Sequence, residues 1–439
     1  MSANACKSRK IRVGILGLGT IGGGTATAII KNADIIKARA MDIELARVAD
    51  RNTEKVEKFL ADLGATDVTV TADWHDIVND PNIDVMVEVA GGINMPREAI
   101  AAALRAGKCV VTANKDLMAT HGGELLDIAA QNHVDLFFEA SVAGAIPIIL
   151  PLKESMACNK FQKIMGILNG TTNYILTSME EKGSTFADAL AEATALGYAE
   201  ADPTNDIEGY DAARKVAILA SIAFNSRVTY DMVYVEGITK ITDWDMAYAK
   251  EFGYAIKILG ITKEEDGQIE ARVHPVMIPL SHPLASVRDS FNAIFVEAFP
   301  LDKAMFYGRG AGALPTASAV VGDVIAAARN IVNGCTNRWG CGCFDNKKVR
   351  SIDDIVSKYY VRIAVYDRSG VFAAITDILG RANVSLDSVM QKRRISDDQA
   401  EIVMITHEVR HADMMKALDM ISKLDCVAGI INIIRVADE

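Results

Sequence analysis

The sequence predicts an α/β chain in three parts: a doubly wound parallel sheet, an α+β part around a mixed sheet, and a small βαββαβ tail. Three observations carry this. A β-branched run at residues 11–16 leads into the glycine turn GLGTIGGG and then a helix. Short apolar strands alternate with helical segments as far as residue 138, the order of a parallel sheet covered on both faces. From Tyr360 onward, strands and helices follow a ferredoxin-like order. The expected boundaries are 1–140, 141–308, 309–357 and 358–439, the third comprising a helix that returns to the first part and a linker.

In the first part, Gly17, Gly19 and Gly22 make G-x-G-x-x-G between strand and helix. Gly17 permits the turn, Gly19 a close approach to a pyrophosphate, and Gly22 tight packing of helix on strand; Thr20 and Ile21 lie at the helix N-terminus that faces the anion. In this context the motif predicts a Rossmann-type dinucleotide site, with the helix running to about Ala38. The next strand, 43–49, ends in Asp50-Arg51. An acid there binds ribose hydroxyls and favours NAD, whereas an adjacent arginine holds a 2′-phosphate and favours NADP, so both stay open. Strands at 85–89, 109–112 and 134–138 end in Ala90-Gly91-Gly92, Ala113-Asn114-Lys115 and Glu139-Ala140-Ser141, with helices at 96–106 and about 123–131 between them. Ligands bind at the carboxyl ends of such strands. Gly91, Lys115 and Glu139 are therefore expected at the cofactor crevice, Lys115 overlooking the nicotinamide.

Residues 141–149, SVAGAIPII, read as a crossover whose small residues and proline leave carbonyls for other partners. A strand at 161–168 meets Asn169-Gly170-Thr171-Thr172-Asn173, a cluster of turn and hydroxyl residues, and a helix at 184–196 closes at Gly197. The stretch 202–215, DPTNDIEGYDAARK, begins as a turn and enters an alanine-rich helix continuing to Ile222. Asp211 and Lys215 share one helical face with Ile218 and Ile222, a stripe that should be buried. Such a pair is either an ordinary solvated ion pair or a mark of chemistry. After Phe224 strands and loops alternate to about Pro300.

Residues 307–316, YGRGAGALPT, supply Gly310 and Gly312 in a second glycine loop ahead of a long apolar helix to Asn330. That loop either returns over the cofactor or is a plain interdomain turn. Cys341-Gly342-Cys343, with Cys335 nearby, lacks the second pair or the histidines of a zinc site, and 340–357 reads as linker. The tail is expected to hold strands at 360–365, 385–391, 401–406 and 429–436 and helices at 370–379 and 411–424, with Val371, Phe372, Ile375 and Leu379 inward. It carries nothing catalytic.

A net charge of −11 without a Lys/Arg block argues against nucleic acid or a membrane surface as the main partner. The sequence has neither a signal-peptide run nor a membrane-length apolar stretch. Seven scattered cysteines fit a reducing cytoplasm.

At GILNGTTNYIL (166–176) together with YAEADPTNDIEGYDAARK (198–215), the sequence resembles homoserine dehydrogenase. The likeness extends through the glycine fingerprint, TANK (112–115), EASVAGAIP (139–147), and GRGAG with PTASAVVGD (308–323). The tail resembles an ACT domain through YYVRIAVYDRSGVFAAITDILG, and with no kinase domain ahead the likeness is to the monofunctional form. The resemblance implies reversible, NAD- or NADP-dependent interconversion of L-homoserine and L-aspartate 4-semialdehyde, on the way to threonine, methionine and isoleucine. It implies that Lys215 is the proton donor or acceptor at the reacting oxygen, that Lys115 lies near nicotinamide and substrate, and that Glu200, Asp206 and Asp211 hold and orient substrate and lysine. It further implies a sodium site at the backbone around Glu139, Val142, Gly144 and Ile146, and amino-acid feedback through the ACT domain, most often by threonine. An ACT tail also suggests a homodimer or homotetramer, because effectors of such domains often bind between paired copies.

The residues support the chemistry on their own terms. Carbonyl reduction needs a hydride at carbon and a proton donor within about 3 Å of oxygen. A lysine supplies the proton if burial or a second cation lowers its pKa against the pull of a carboxylate. The substrate's carboxylate is expected at Thr172 and the amides near Gly170, and its ammonium at Glu200 and Asp206. Three positions depart from the family pattern: Ala145 and Ala313, where glycine is usual, and Ser369, where proline is expected at the effector turn. Two rival readings fit the residues less well. Aspartate-semialdehyde dehydrogenase needs a cysteine nucleophile, but Cys109 falls in a strand and Cys158 lacks a motif. A non-catalytic NAD(P) and amino-acid sensor would have no use for Lys115, Asp211 and Lys215.

Overall fold

The computed structural model describes residues 9–338 and 340–437. Its first sheet has the order β3-β2-β1-β4-β5-β6, all parallel, from β1 (Ile11–Leu16), β2 (Ile43–Ala49), β3 (Thr69–Thr71), β4 (Val85–Glu88), β5 (Cys109–Thr112) and β6 (Leu136–Phe137). Strand order reverses between β1 and β4, so the crevice opens there, above the glycine turn. A side chain at Gly17, where φ is +92°, would place Cβ 2.6 Å from Ala90 Cα, and one at Gly22 would stand 2.0 Å from Gly17 O. At Gly19 nothing lies within 4 Å, so that face is open for an approaching ligand.

Several boundaries move. The first helix is two, Thr20–Lys31 and Ala33–Arg39, meeting at Asn32. The helix expected from about Gly123 begins at Lys115 and runs to Gln131, with the Asn114 side chain accepting from Leu117 N. Thr120, Gly122 and Gly123 are weak helix formers, which hid its first two turns from a propensity reading. The 169–173 cluster is likewise the start of a helix, Gly170–Lys182, capped by Asn169. The 202–215 stretch forms a short helix, Thr204–Ile207, and after Gly209 in the left-handed region the helix Tyr210–Ala223.

The second sheet follows the order β12-β11-β7-β9-β10-β18-β14-β16-β15. Its strands are β7 (Lys160–Ile167), β8 (Tyr234–Val235), β9 (Tyr254–Glu265), β10 (Gln268–Pro279), β11 (Phe291–Phe299), β12 (Asp302–Arg309), β13 (Lys348–Val349), β14 (Val356–Tyr366), β15 (Leu386–Met390), β16 (Gln399–Thr406), β17 (Val409–Arg410) and β18 (Val427–Val436). The tail has the expected βαββαβ order, yet its sheet is continuous with that of the second part. β10 and β18 pair in parallel, Val276 opposite Arg435 and Met277 opposite Val436. The segment read as linker also contributes β13, which pairs with β10. In the tail's first helix, Val371–Arg381, Val371, Ile375 and Leu379 are buried, but Phe372 is exposed rather than inward. Helix Asp243–Glu251, opened by a capping box from Thr242 and Asp245, was not anticipated.

The long helix Ala313–Asn333 lies against helix Thr20–Lys31; a Cβ at Gly24 would be 2.5 Å from Ala313 O. Among the described residues no helix is long and apolar enough to cross a membrane.

Candidate active site

Helix Tyr210–Ala223 brings Asp211 and Lys215 to one buried face, each side chain 9% exposed. Lys215 Nζ donates to Asp211 Oδ2 at 2.7 Å and to Leu168 O at the end of β7 at 2.6 Å. An ammonium has three protons, so one N–H of Lys215 is left for a ligand. Lys115, at the start of its helix above β5, reaches the other oxygen of Asp211 at 2.9 Å, its side chain 36% exposed. One carboxylate from the second part thus receives a lysine from each part.

Burial would raise the Asp211 carboxyl, but the Lys215 and Lys115 charges outweigh it and hold the group well below the usual carboxylate range. For Lys115, attraction to Asp211 is the largest influence and exceeds burial, so its pKa is raised. It stays an ammonium.

Asn169 joins the rest. Its Nδ2 donates to Asp206 Oδ1 at 2.7 Å and to Asp211 Oδ2 at 2.9 Å, while its Oδ1 accepts from Thr172 N and Oγ1 at 2.9 and 3.0 Å. Sequence reading passed over Asn169 as a turn residue; its signal was an N-cap asparagine directly after a strand. Asp206 is raised by burial and by the nearby Asp211 charge. Thr172 is fully buried, its hydroxyl donating to the capping Asn169 instead of facing the opening. Gly170 opens that helix, pressed so closely on the 287–291 loop that a Cβ would stand 2.7 Å from Ser290 O. Glu200 is exposed, and no bond ties it to this group among the described residues.

In the crevice, Glu88 is the second group the sequence reading missed, visible only as a lone acid in an apolar strand. It is fully buried, accepting from Thr112 Oγ1 at 2.6 Å and Ala90 N at 3.0 Å, and burial raises its pKa. Asn114 Nδ2 donates to Gly92 O at 2.7 Å, so the loops carrying Gly91 and Lys115 are tied together. Asp50 is turned inward: Oδ2 accepts from Leu18 N at 2.7 Å and Oδ1 from Asn52 N at 2.9 Å. Arg51 beside it is exposed. Thr20 is exposed and Ile21 half-buried on the first turn of the glycine-loop helix.

The loops at 139–146 and 309–312 meet. Ala145 N donates to Arg309 O at 3.1 Å, and a Cβ at Gly144 would lie 2.4 Å from Gly310 O. Gly312 precedes the long helix with φ +121°. The Glu139 carboxylate accepts from the amides of Ile148, Ile149 and Leu150 at 2.5 to 2.7 Å, and burial raises its pKa. It serves the helix that follows. Among the described residues no cluster of three His, Cys, Asp or Glu can hold a metal. Cys109 is buried within β5, and burial pushes its thiol up to about 12.

Comparison with known proteins agrees with this arrangement. Residues 147–325 match the family model described as homoserine dehydrogenase, residues 17–139 the homoserine dehydrogenase NAD binding domain, and residues 359–425 the ACT domain. The homoserine dehydrogenase of Corynebacterium glutamicum is 44% identical over 431 residues, covering 97% of this chain and 95% of that protein. That of Bacillus subtilis is 41% identical over 430 residues, covering 98% of each. The crystal structure of a homoserine dehydrogenase from Thiobacillus denitrificans superposes with a TM-score of 0.92 at 41% identity, covering 98% of this chain and 99% of the other. A hyperthermophilic archaeal homoserine dehydrogenase mutant in complex with NADPH aligns with a TM-score of 0.62 at 27% identity, over 73% of this chain and 98% of its own.

Proposed function

We propose that this chain, which belongs to the homoserine dehydrogenase family and is an NAD(P)-dependent oxidoreductase, interconverts L-homoserine and L-aspartate 4-semialdehyde through Lys215. The observation that carries the reading is the single buried carboxylate, Asp211, shared by Lys215 and Lys115. A nicotinamide cofactor, when bound in the crevice, would supply or accept the hydride. Lys215, held by Asp211 and Leu168 O, offers its remaining N–H to the aldehyde oxygen during reduction and takes the proton back during oxidation. Lys115, kept charged by Asp211, holds that same oxygen and stabilises negative charge developing on it.

Asp206 and Glu200 receive the substrate ammonium, and the amides of Gly170 and Thr171 at the start of helix Gly170–Lys182 receive its carboxylate. Asn169 is a positioning residue that sets Asp206 and Asp211 relative to each other. A sodium ion at the 139–146 turn would be held by main-chain oxygens of Val142, Gly144 and Ile146. The inward Asp50 and exposed Arg51 support NADP over NAD, the arginine taking the 2′-phosphate. The ACT domain supports control by an amino acid, with threonine the first candidate.

Absorbance at 340 nm with L-homoserine and each oxidised cofactor tests the reading. Turnover is expected with NADP favoured, and Arg51→Ala should reduce that preference. No turnover with either cofactor would refute the activity, and a preference for NAD would refute the Arg51 assignment. Adding L-threonine to the same assay should lower the rate.

A further inference from the structure

The Lys115–Asp211 contact joins two parts of the chain, and a second ion pair runs beside it with its charges reversed. Helix Lys115–Gln131 opens on Lys115 and Asp116, and helix Tyr210–Ala223 presents Asp211 and Arg214 one turn apart on one face. Lys115 meets Asp211 at 2.9 Å, and Asp116 Oδ1 meets Arg214 Nε. One helix thus offers a cation and then an anion, and the other answers with the anion and then the cation. The substrate chemistry described above uses neither Asp116 nor Arg214.

Arg214 is fixed from its own side. Its guanidinium carbon lies 4.9 Å from the Tyr230 ring centroid, within cation–π range, and Nη1 is 3.5 Å from Asn205 Oδ1, next to Asp206. The Arg214 side chain is 21% exposed and that of Asp116 39%. A pair this open to water adds little to folding, since solvent screens it and both side chains lose freedom. Its polarity matters more than its strength. Sliding one helix along the other by a turn would set Lys115 against Arg214, or Asp116 against Asp211, and like charges oppose both displacements. The observed register satisfies all four groups. Asp116 also adds to the attraction that keeps Lys115 an ammonium, while Arg214 works against it. Without Asp116, the Arg214 charge would be left to compete with Lys115 for the Asp211 carboxylate. A pair of the same chemistry stands at the other end of the helix, where Asp127, about three turns on, faces Arg227 at 3.4 Å.

We propose that Asp116 and Arg214 are positioning residues that hold Lys115 in register on Asp211, and so fix the cation that meets the substrate oxygen. The proposal rests on the reading of Lys115 as a substrate contact. Asp116 and Arg214 touch neither substrate nor cofactor in this account; they act through Lys115. Asp127 and Arg227 tie the same helix to the same part of the chain, but too far along it to set the register of its first residue.

The test measures KM and kcat for L-homoserine, with the denaturant midpoint, in the full chain carrying Asp116→Asn, Asp127→Asn, Lys115→Ala, or Lys115→Ala with Asp116→Asn. Asp116→Asn is expected to raise KM about three- to tenfold, within the span of coupling among charges of one network, at an unchanged midpoint. Asp127→Asn should leave KM as it is. With alanine at position 115, Asp116→Asn should add nothing, because the residue it positions is gone. Adding Arg214→Gln to Asp116→Asn should bring KM back toward wild type, since the competing cation is removed. Four results would overturn the proposal: a KM that Asp116→Asn leaves alone while Lys115→Ala raises it, an equal rise from Asp127→Asn, the same rise from Asp116→Asn in the Lys115→Ala background, or a KM that rises only in step with a falling midpoint. A KM unchanged by Lys115→Ala would overturn the reading of Lys115 itself, and the proposal with it.

Discussion

Asp211 and Asp245 are both buried carboxylates in the first turn of a helix, and their surroundings are completed differently. Asp245 accepts from Thr242 N and Oγ1, Asn432 Nδ2, Tyr360 OH and Arg362 Nη1, all between 2.8 and 3.1 Å. Arg362 lies 3.1 Å from Glu401, which also accepts from Tyr248 OH at 2.7 Å. Arg362, Asp245 and Glu401 are each no more than 5% exposed. This cluster seals the seam between helix Asp243–Glu251 and the ACT sheet. Around Asp211, by contrast, Lys215 keeps a spare proton and Lys115 remains partly open to solvent. Burial of charge is common to both; unspent donors at an opening belong to one.

That contrast can be broken by mutation. The largest effect on stability is expected at Arg362, because removing one partner of a buried network leaves uncompensated charge, at a cost of about 3–5 kcal/mol. Arg362→Ala should unfold at much lower denaturant while kcat per folded molecule stays near wild type; lost turnover without lost stability would reverse the assignment. Next, Lys115→Ala should raise KM for L-homoserine by about 10- to 100-fold, the worth of a hydrogen bond to a charged group, with little change in unfolding. An unchanged KM would remove Lys115 from the substrate.

The smallest effect is a pH dependence. Because the folded pKa of Asp211 is depressed, its contribution to stability is full above the unfolded carboxylate value of about 4 and is lost as pH falls through the folded value. The gap in unfolding free energy between wild type and Asp211→Asn should therefore shrink below that pH, and a constant gap would contradict the ion-pair description.

Much of this was legible from residues. The strands 11–16, 43–49 and 109–112 match β1, β2 and β5 residue for residue, because β-branched runs bounded by glycine or turn residues have one plausible secondary structure. Asp211 and Lys215 were visible because four-residue spacing fixes a shared face. Lys115 was placed at the right strand end, but its helix was not seen, since Thr120, Gly122 and Gly123 weaken the local signal that packing supplies. Asn169 and Glu88 were missed for a different reason: their roles lie in bonds to residues distant in the chain, Asp206 and Asp211 for one, Thr112 for the other. Pairing of β10 with β18 is also long-range, and no periodicity within either strand announces its neighbour.

The account stands most directly on Lys215. Single-turnover change in absorbance at 340 nm for Lys215→Ala, measured beside NADPH binding by fluorescence, separates proton transfer from cofactor affinity. Loss of a positioned general acid should slow the reaction by about 10²- to 10⁴-fold with NADPH affinity near wild type. A rate close to wild type, or a comparable loss of NADPH affinity, would contradict it.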